Sequence, residues 1–473
     1  MLALVLVLAY GLPAQEPKTP SDEPKAAART TVEQLAPTSQ AQNFKFGKAD
    51  LELFRQVNAF DDYVTEKGWV YNDPETNAYL KELGSSLVPA QTPENVTWRF
   101  RAIRDLEVNA FALPNGTIYV NSGLLARMEN EAQLAGVLAH EITHVVNRHT
   151  YLEYRSARKK AVAVEIIQAG AGGAGFAGPI AGLVATAMGN LLPLIVVSTI
   201  YGYSRDLEHE ADVYAVNTLQ LRGYDLLQFS RGFELLRKGP EVDLSKEPVF
   251  WASHPKLADR VQYVSEMAAR LQPNATSLRI GRAEYRFATI GVIRHNAGLA
   301  LMLGKPRTAL ATAQRLMAEE PDSADDVALL GDAYRGLGAR RPVPDDEEST
   351  DAAKNEARKR LRKMTQAEYE KALMSDPHGT EQWEANATLA ENAYRKALAM
   401  DANNANSHRG LGFLYERKDR AAAATDEFKK YLQLAPDAKD ARQIRIHIES
   451  LEKAASTTAT TPNTPQAQNQ EKP

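Results

Sequence analysis

The sequence contains no cysteine among its 473 residues. This absence excludes a disulfide-stapled fold, a cysteine-ligated zinc finger, a thiol nucleophile and a lipidated cysteine anchor. Any metal site must therefore use histidine and carboxylate side chains. An excess of one charge is also lacking, since 56 basic residues face 60 acidic ones and leave a formal net charge of −4. Such a balance gives no general attraction to nucleic acid, so we expect no nucleic-acid partner.

Histidine is scarce, with 9 residues in the chain, yet three of them fall within the stretch LAHEITHVVNRH. An apolar stripe through this stretch predicts a buried helix. Residues four apart on a helix lie about 40° apart around its axis, so His140 and His144 project from one face. Two such imidazoles with an intervening glutamate, here Glu141, are typical of zinc proteases, in which the glutamate acts as the base.

A catalytic zinc needs three protein ligands and one open position for water. His149 is a poor third ligand, because five residues after His144 it rotates off the shared face. In the stretch SRDLEHEADVYAVNTL, Glu208 and Asp212 share a helical face. We expect Glu208 to complete a site for one Zn²⁺ per chain, and Asp212 to accept the second ring N–H of a ligating histidine. The alternative for this stretch alone is a solvated, charged helix face.

The two ends of the chain differ in composition from the interior. The apolar run in MLALVLVLAYGLPAQEP is too short to span a bilayer. It predicts a signal peptide over residues 1–14, with a short membrane anchor as the alternative, and hence an exported, periplasmic or envelope-associated protein. Residues 15–43 and 453–473 have few large apolar side chains, so we expect a disordered leader and a disordered tail.

Two folded parts are expected between these ends. Residues 44–275 mix helical patterns with the β-rich segments VTWRFRAI and TIYVNS, whereas residues 285–452 are helical throughout. Near the end of the second part, six residues fit the 34-residue tetratricopeptide frame: Leu411, Gly412, Tyr415, Ala424, Phe428 and Pro436. An ordinary helical bundle is the alternative, but it does not account for this match. Tetratricopeptide repeats present a concave surface to peptides or partner proteins.

Four stretches in order resemble the HtpX and CAAX-prenyl-protease group of zinc metallopeptidases: NAFALPNGTIYVNSGLL, LAHEITHVVNRH, SRDLEHEAD and SHPKLADRV. The likeness is greatest to exported BepA-like members that carry a tetratricopeptide domain. The resemblance covers about residues 44–270 for the peptidase and 285–452 for the repeats. It implies an α+β fold: a mainly helical zincin-type metallopeptidase domain with a small β-sheet, followed by an all-α tetratricopeptide solenoid.

The resemblance also assigns roles to individual residues. It implies three zinc ligands, His140, His144 and Glu208, and Glu141 as the catalytic carboxylate. It further implies that His254 lies near the metal, where it would orient substrate or occupy the open coordination site of a latent enzyme. His254 and Arg205 are the candidates for a donor that helps the metal stabilise the oxyanion. The sequence departs from the family pattern in having NG after FALP in place of GG, and in lacking a basic start to the signal.

The segment TIYVNS, just ahead of the metal helix, is a candidate substrate contact. An exposed strand edge accepts an extended peptide as a further strand. Five residues are therefore predicted to contact substrate: Thr117, Ile118, Tyr119, Val120 and Asn121. This predicts an endopeptidase that prefers extended or unfolded segments. The alternative is a purely structural strand.

Residues 166–204 carry no charged side chain and are long enough to allow a membrane span. Glycine and proline interrupt the run, and Glu208 must stay beside His140. Two interpretations remain open. The segment either dips to the membrane surface or covers the active-site cleft, which allows peripheral membrane association, or it forms spanning helices.

Two classes of function agree with these patterns. The first is a zinc metalloendopeptidase of the cell envelope that hydrolyses misfolded or unassembled envelope proteins, with repeats that recruit polypeptide substrates or outer-membrane assembly proteins. The second is a chaperone-like or scaffold protein with a latent peptidase site. The intact set of two histidines and two glutamates favours the first. An integral prenyl-protein protease is disfavoured because the sequence has no other long apolar segment.

Overall fold

The computed structural model describes residues 35–159, 203–237, 257–272, 277–338 and 377–459. Helices dominate these ranges. The helices of the first part are α1 (Ser39–Gln42), α2 (Lys48–Glu66), α3 (Pro74–Leu87), α4 (Ser122–Arg127), α5 (Glu131–Val146), α6 (His149–Lys159), α7 (Arg205–Leu221), α8 (Leu227–Arg237) and α9 (Leu257–Leu271). Those of the second part are α10 (Arg282–Met302), α11 (Pro306–Glu319), α12 (Ala324–Gly338), α13 (Pro377–Met400), α14 (Ala405–Arg417), α15 (Ala421–Leu434) and α16 (Ala441–Ala459).

A small mixed sheet is formed by β1 (Arg99–Ile103), β2 (Ala110–Ala112) and β3 (Thr117–Asn121), in the order β1-β3-β2. Strand β3 pairs in parallel with β1 and antiparallel with β2. The prediction of a strand at TIYVNS is confirmed, but the prediction of an exposed edge is wrong.

The reason lies in the turn that precedes β3. The backbone N–H of Gly116 donates to the carbonyl of Leu113 over 2.9 Å, and Gly116 adopts a φ of +96°, which favours glycine. This turn folds β2 back along one edge of β3, while β1 takes the other edge. All five residues of β3 are buried. An added peptide strand therefore has no free hydrogen-bonding edge at residues 117–121.

The core of the first part is built around α5, whose 16 residues are all buried. Asn130 caps the helix, because its Oδ1 accepts from the backbone N–H of Gln133 over 3.0 Å. Helices α3, α7 and α8 and strand β2 all pack against α5. Since every face of α5 is covered, the polar side chains on it are held in an interior that admits little water.

A glycine in α5 sets the distance to α8. A Cβ atom added at Gly136 would lie 2.2 Å from Cδ2 of Phe229, which is itself buried. We therefore expect Gly136→Ala to lower the free energy of unfolding by about 1–3 kcal/mol through overpacking. Gly298→Ala in α10 is the control, because nothing lies within 4 Å of its added Cβ. Urea denaturation should show this control unchanged or stabilised by up to about 1 kcal/mol; equal losses in both variants would contradict the close packing.

The second part consists of helices that pack against their neighbours in sequence, such as α14 against α15. The small residues of the repeat pattern lie at these contacts. A Cβ at Gly412 would lie 2.4 Å from Phe428, and one at Gly331 would lie 2.6 Å from Tyr394. The described chain is thus mainly helical with one small sheet, as expected, while its division into a peptidase domain and a repeat solenoid remains a prediction.

The predicted ends need correction. Leu35 is buried, and the backbone N–H of Thr38 donates to Oδ1 of Asn147 over 3.1 Å, so residues 35–43 are ordered against the body. Helix α16 likewise continues to Ala459, into the predicted tail. A local composition rich in proline and alanine does not reveal such tertiary contacts. The predicted signal peptide lies outside the described residues.

The uncharged segment 166–204 lies outside the described residues except for its last two positions. Among the residues that the structure describes, no helix combines the length and the apolar character needed to cross a membrane.

Candidate metal site

Three predicted ligands converge in the interior of the first part. His140 and His144 lie one turn apart on α5, and Glu208 lies in the first turn of α7. The two Nε2 atoms are 3.0 Å apart. Oε2 of Glu208 lies 3.5 Å from Nε2 of His140, and its Oε1 lies 3.6 Å from Nε2 of His144. One donor atom from each residue lies within 4.8 Å of the others, and all three side chains are buried.

These donors fit a four-coordinate divalent metal. Metal–ligand bonds of about 2.0–2.1 Å at tetrahedral angles place ligand atoms about 3.3 Å apart, and the three measured separations lie on either side of this value. Two imidazole nitrogens and one carboxylate oxygen would leave the fourth position open. A solvated, charged helix face, the alternative for this part of α7, is wrong because Glu208 and Asp212 are both buried.

Asp212 stands behind the first of the two histidines. Its Oδ1 lies 2.9 Å from Nδ1 of His140, where it accepts the second ring N–H and leaves Nε2 available to a metal. This is the contact that the sequence predicted. Burial, and next the charge of Arg260, lower the pKa of His140, which favours the neutral imidazole that a metal ligand requires.

His149 holds the second histidine and is not a ligand itself. The Nδ1 atoms of His149 and His144 are 2.9 Å apart, and Nε2 of His149 lies 3.2 Å from Oε1 of Glu210. The ring of Tyr203 stacks on that of His144 with 3.8 Å between centroids and 13° between planes. The hydroxyl of Tyr203 is in turn 2.9 Å from Oγ1 of Thr150. These contacts fix the position of the His144 ring.

Arg260 in α9 is the residue that the sequence reasoning missed. Its guanidinium donates to Oε2 of Glu208 over 2.7 Å and to both carboxylate oxygens of Asp212 over 2.6 and 2.7 Å. All three side chains are buried. Burial favours the neutral form of Asp212, but Arg260 and His140 outweigh it and hold the pKa of that carboxyl below its usual range. Arg260 thus compensates two buried carboxylates.

A signal for Arg260 was present in the sequence. The residues four and eight positions later on α9, Val264 and Ala268, are fully buried, so Arg260 occupies the apolar face of its helix. A lone charge on such a face implies a buried partner of opposite charge.

The other predicted site residues have different outcomes. Glu141 is buried in α5, next to the first ligand. Arg205 is exposed in the first turn of α7, whereas the three ligands are buried. The prediction that it assists the metal thus gains no support. His254 lies outside the described residues.

Comparison with known proteins agrees with this geometry. Residues 74–268 match the family model described as Peptidase family M48. The chain is 29% identical over 229 residues to the beta-barrel assembly-enhancing protease of Escherichia coli (strain K12). This alignment covers 47% of the present chain and 46% of the Escherichia coli protein. The chain is also 25% identical over 241 residues to the mitochondrial metalloendopeptidase OMA1 of Schizosaccharomyces pombe, an alignment that covers 50% of this chain and 67% of OMA1. The metalloprotease YcaL of Escherichia coli (strain K12) is 29% identical to the present chain over 189 residues, an alignment that covers 40% of this chain and 67% of YcaL.

These matches are partial. The aligned part of the chain spans about half the length of the beta-barrel assembly-enhancing proteases. They support a metallopeptidase site within residues 74–268, where His140, His144 and Glu208 lie.

Proposed function

We propose that this chain, whose residues 74–268 match the model of peptidase family M48, belongs to that family and is a zinc-dependent endopeptidase. One observation carries the proposal: three buried donor atoms from α5 and α7 lie within 4.8 Å of one another, with Glu141 beside the first of them in the chain. When bound, zinc supplies a Lewis acid that polarises a peptide carbonyl and activates a water molecule.

The protein's own residues supply the remaining steps. Asp212 and His149 orient the two imidazoles, and Arg260 holds one oxygen of Glu208. Glu141 takes the proton from the attacking water and passes it to the leaving amine. His254 remains the candidate for a further group near the metal.

The division of labour along the chain is also proposed. Residues 44–275 form the peptidase domain and residues 285–452 a tetratricopeptide solenoid that binds proteins. The close helix contacts at Gly331 and Gly412 support the second assignment. The substrates proposed are misfolded or unassembled envelope proteins, the partners are outer-membrane assembly proteins, and the location is periplasmic or envelope-associated with peripheral membrane contact. One relative is named for enhancing beta-barrel assembly, and this name supports the link to assembly proteins.

Metal analysis of the purified protein tests the proposal. We expect about one zinc ion per chain, cleavage of casein that a chelator abolishes, and recovery of cleavage on adding zinc. His140→Ala should lose both the metal and the activity, because a site with two remaining ligands binds zinc weakly. His447→Ala is the matched control, since that histidine contacts Glu416 in the second part of the chain. Wild-type protein without stoichiometric metal, or unchanged metal content in His140→Ala, would refute the proposed site.

A further inference from the structure

The second part of the chain contains an open cavity of about 410 Å³. It lies between α10, α12 and α14 and is separate from the metal ligands, which lie on α5 and α7. Its volume is within the range of about 300–1,000 Å³ that is usual for ligand sites. One wall is apolar and is formed by Leu299, Leu301, Met302 and Leu329. Met302 is 75% exposed and so is accessible to a ligand.

Two arginines line the same cavity. Arg335 on α12 donates through Nε to the hydroxyl of Tyr394 and through Nη2 to Oδ1 of Asp332. Arg409 on α14 donates through Nε to Asp440. Within the described residues, no acceptor is bonded to Nη1 of Arg335 or to either Nη of Arg409. As far as the described ranges go, the protein thus positions both guanidiniums and leaves N–H donors for a ligand.

The two guanidiniums lie beside one aromatic ring. Each has its Cζ atom 5.3 Å from the centroid of the Phe413 ring. The ring of Phe413 packs edge-on against that of Phe428, with 5.0 Å between centroids. Both cations therefore lie against the same aromatic ring and line the same cavity as the apolar side chains.

Two basic residues outside the wall act on His295, one of the residues that line the cavity. Burial lowers the pKa of that imidazole, which the charges of Arg104 and Lys439 lower further. Within the described ranges, neither Arg104 nor Lys439 has a carboxylate at ion-pair distance. The one acidic side chain in the wall, Asp332, accepts from both Arg335 and Tyr394. Asp332 and Asp440 offset the charges of Arg335 and Arg409, so the positive surplus that favours an anion comes from Arg104 and Lys439.

We propose that this cavity binds the C-terminal residue of a polypeptide whose last side chain is apolar. The N–H groups of Arg335 and Arg409 that have no acceptor among the described residues would hold the terminal carboxylate, since guanidinium donors match the two oxygens of a carboxylate. The last side chain would lie against the leucines and Met302. An internal acidic residue fits less well, because it brings a charge without the adjoining apolar group. Inorganic phosphate also fits less well, because it likewise lacks an adjoining apolar group.

This inference goes beyond the proposed peptidase activity, because no metal ligand or catalytic residue lines the cavity. A partner recognised by its free C-terminus would be held by the second part of the chain whether or not it is cleaved. The site therefore offers a way to select chains that expose an apolar terminus.

Fluorescence anisotropy with full-length Glu141→Gln protein tests the proposal without cleavage of the probe. The probe is a short fluorescein-labelled peptide that ends in phenylalanine with a free carboxylate. We expect saturable binding, at least about tenfold weaker binding of the same peptide with an amidated C-terminus, and no competition by inorganic phosphate. Arg409→Gln should weaken binding by a similar factor, and Arg409→Lys should restore part of it.

A pair of glycine variants in α10 separates blocking of the cavity from a general effect on folding. Gly298→Leu fills the cavity from a position where an added Cβ meets nothing within 4 Å. Gly291→Leu makes the same change at an exposed position of the same helix that does not line the cavity. We expect the first to abolish probe binding and the second to leave it unchanged, with similar melting temperatures. Equal binding by the two variants, or by the free and amidated peptides, would overturn the proposal, whatever the outcome of the casein assay.

Discussion

Replacing Glu141 with glutamine is expected to reduce casein hydrolysis by about 100- to 10,000-fold, the range that a positioned general base contributes. Glutamine keeps the shape of the side chain but does not accept the proton from the attacking water. The three metal donors belong to other residues, so zinc content should remain about one per chain. Initial rates of hydrolysis, together with metal analysis of the same preparation, measure both quantities.

Glu284→Gln is the control, because it makes the same glutamate-to-glutamine change as Glu141→Gln at an exposed position in the first turn of α10. It should retain full activity. A change at Gln133 in α5 is unsuitable, because Gln133 is buried and hydrogen-bonded to Gln228. The outcome also separates the two classes of function. If the wild type and Glu141→Gln are equally inactive but both suppress aggregation of an unfolded protein, the chaperone-like alternative is favoured and the endopeptidase proposal fails.

The sequence predicted those parts of the site that depend on local periodicity. The face shared by His140 and His144 follows from helix geometry alone, and the spacing of Glu208 and Asp212 places both on one side of α7. The prediction that α7 lies next to α5 required a further assumption, namely that a catalytic metal needs a third protein ligand. The observed separations of 3.0 to 3.6 Å between the donor atoms agree with that assumption.

The features that the sequence did not predict depend on tertiary contacts. Strand β3 has the alternation of any short strand, and only the turn at Gly116 and the pairing with β1 make it central. Arg260 was part of a recognised motif, but its role appears only when α9 lies against α7. The helix at residues 39–42 was missed because its contact with Asn147 joins positions far apart in the chain.

Loss of the Arg260 side chain is expected to be the largest single stability change outside the metal ligands. Arg260 bonds to Glu208 and Asp212 in an environment where all three are buried. Removing one partner of a buried ion pair leaves the other charge uncompensated, which costs about 3–5 kcal/mol. We expect Arg260→Ala to lose this amount in the metal-free protein. Arg260→Lys should recover only part of it, because an ammonium lacks the fork that reaches both carboxylates.

Bound zinc should reduce this loss, because the metal compensates the charge of Glu208 while Asp212 stays uncompensated. Urea denaturation of Arg260→Ala should therefore show a smaller difference from the wild type with zinc than with a chelator. Arg294→Ala is the matched control, since Arg294 makes a similar two-pronged contact with the buried Asp326 in the second part of the chain. The free energy of unfolding that Arg294→Ala loses should not depend on the metal. A loss in Arg260→Ala that is equally insensitive to the metal would show that Arg260 acts on Asp212 alone and not on the ligand carboxylate.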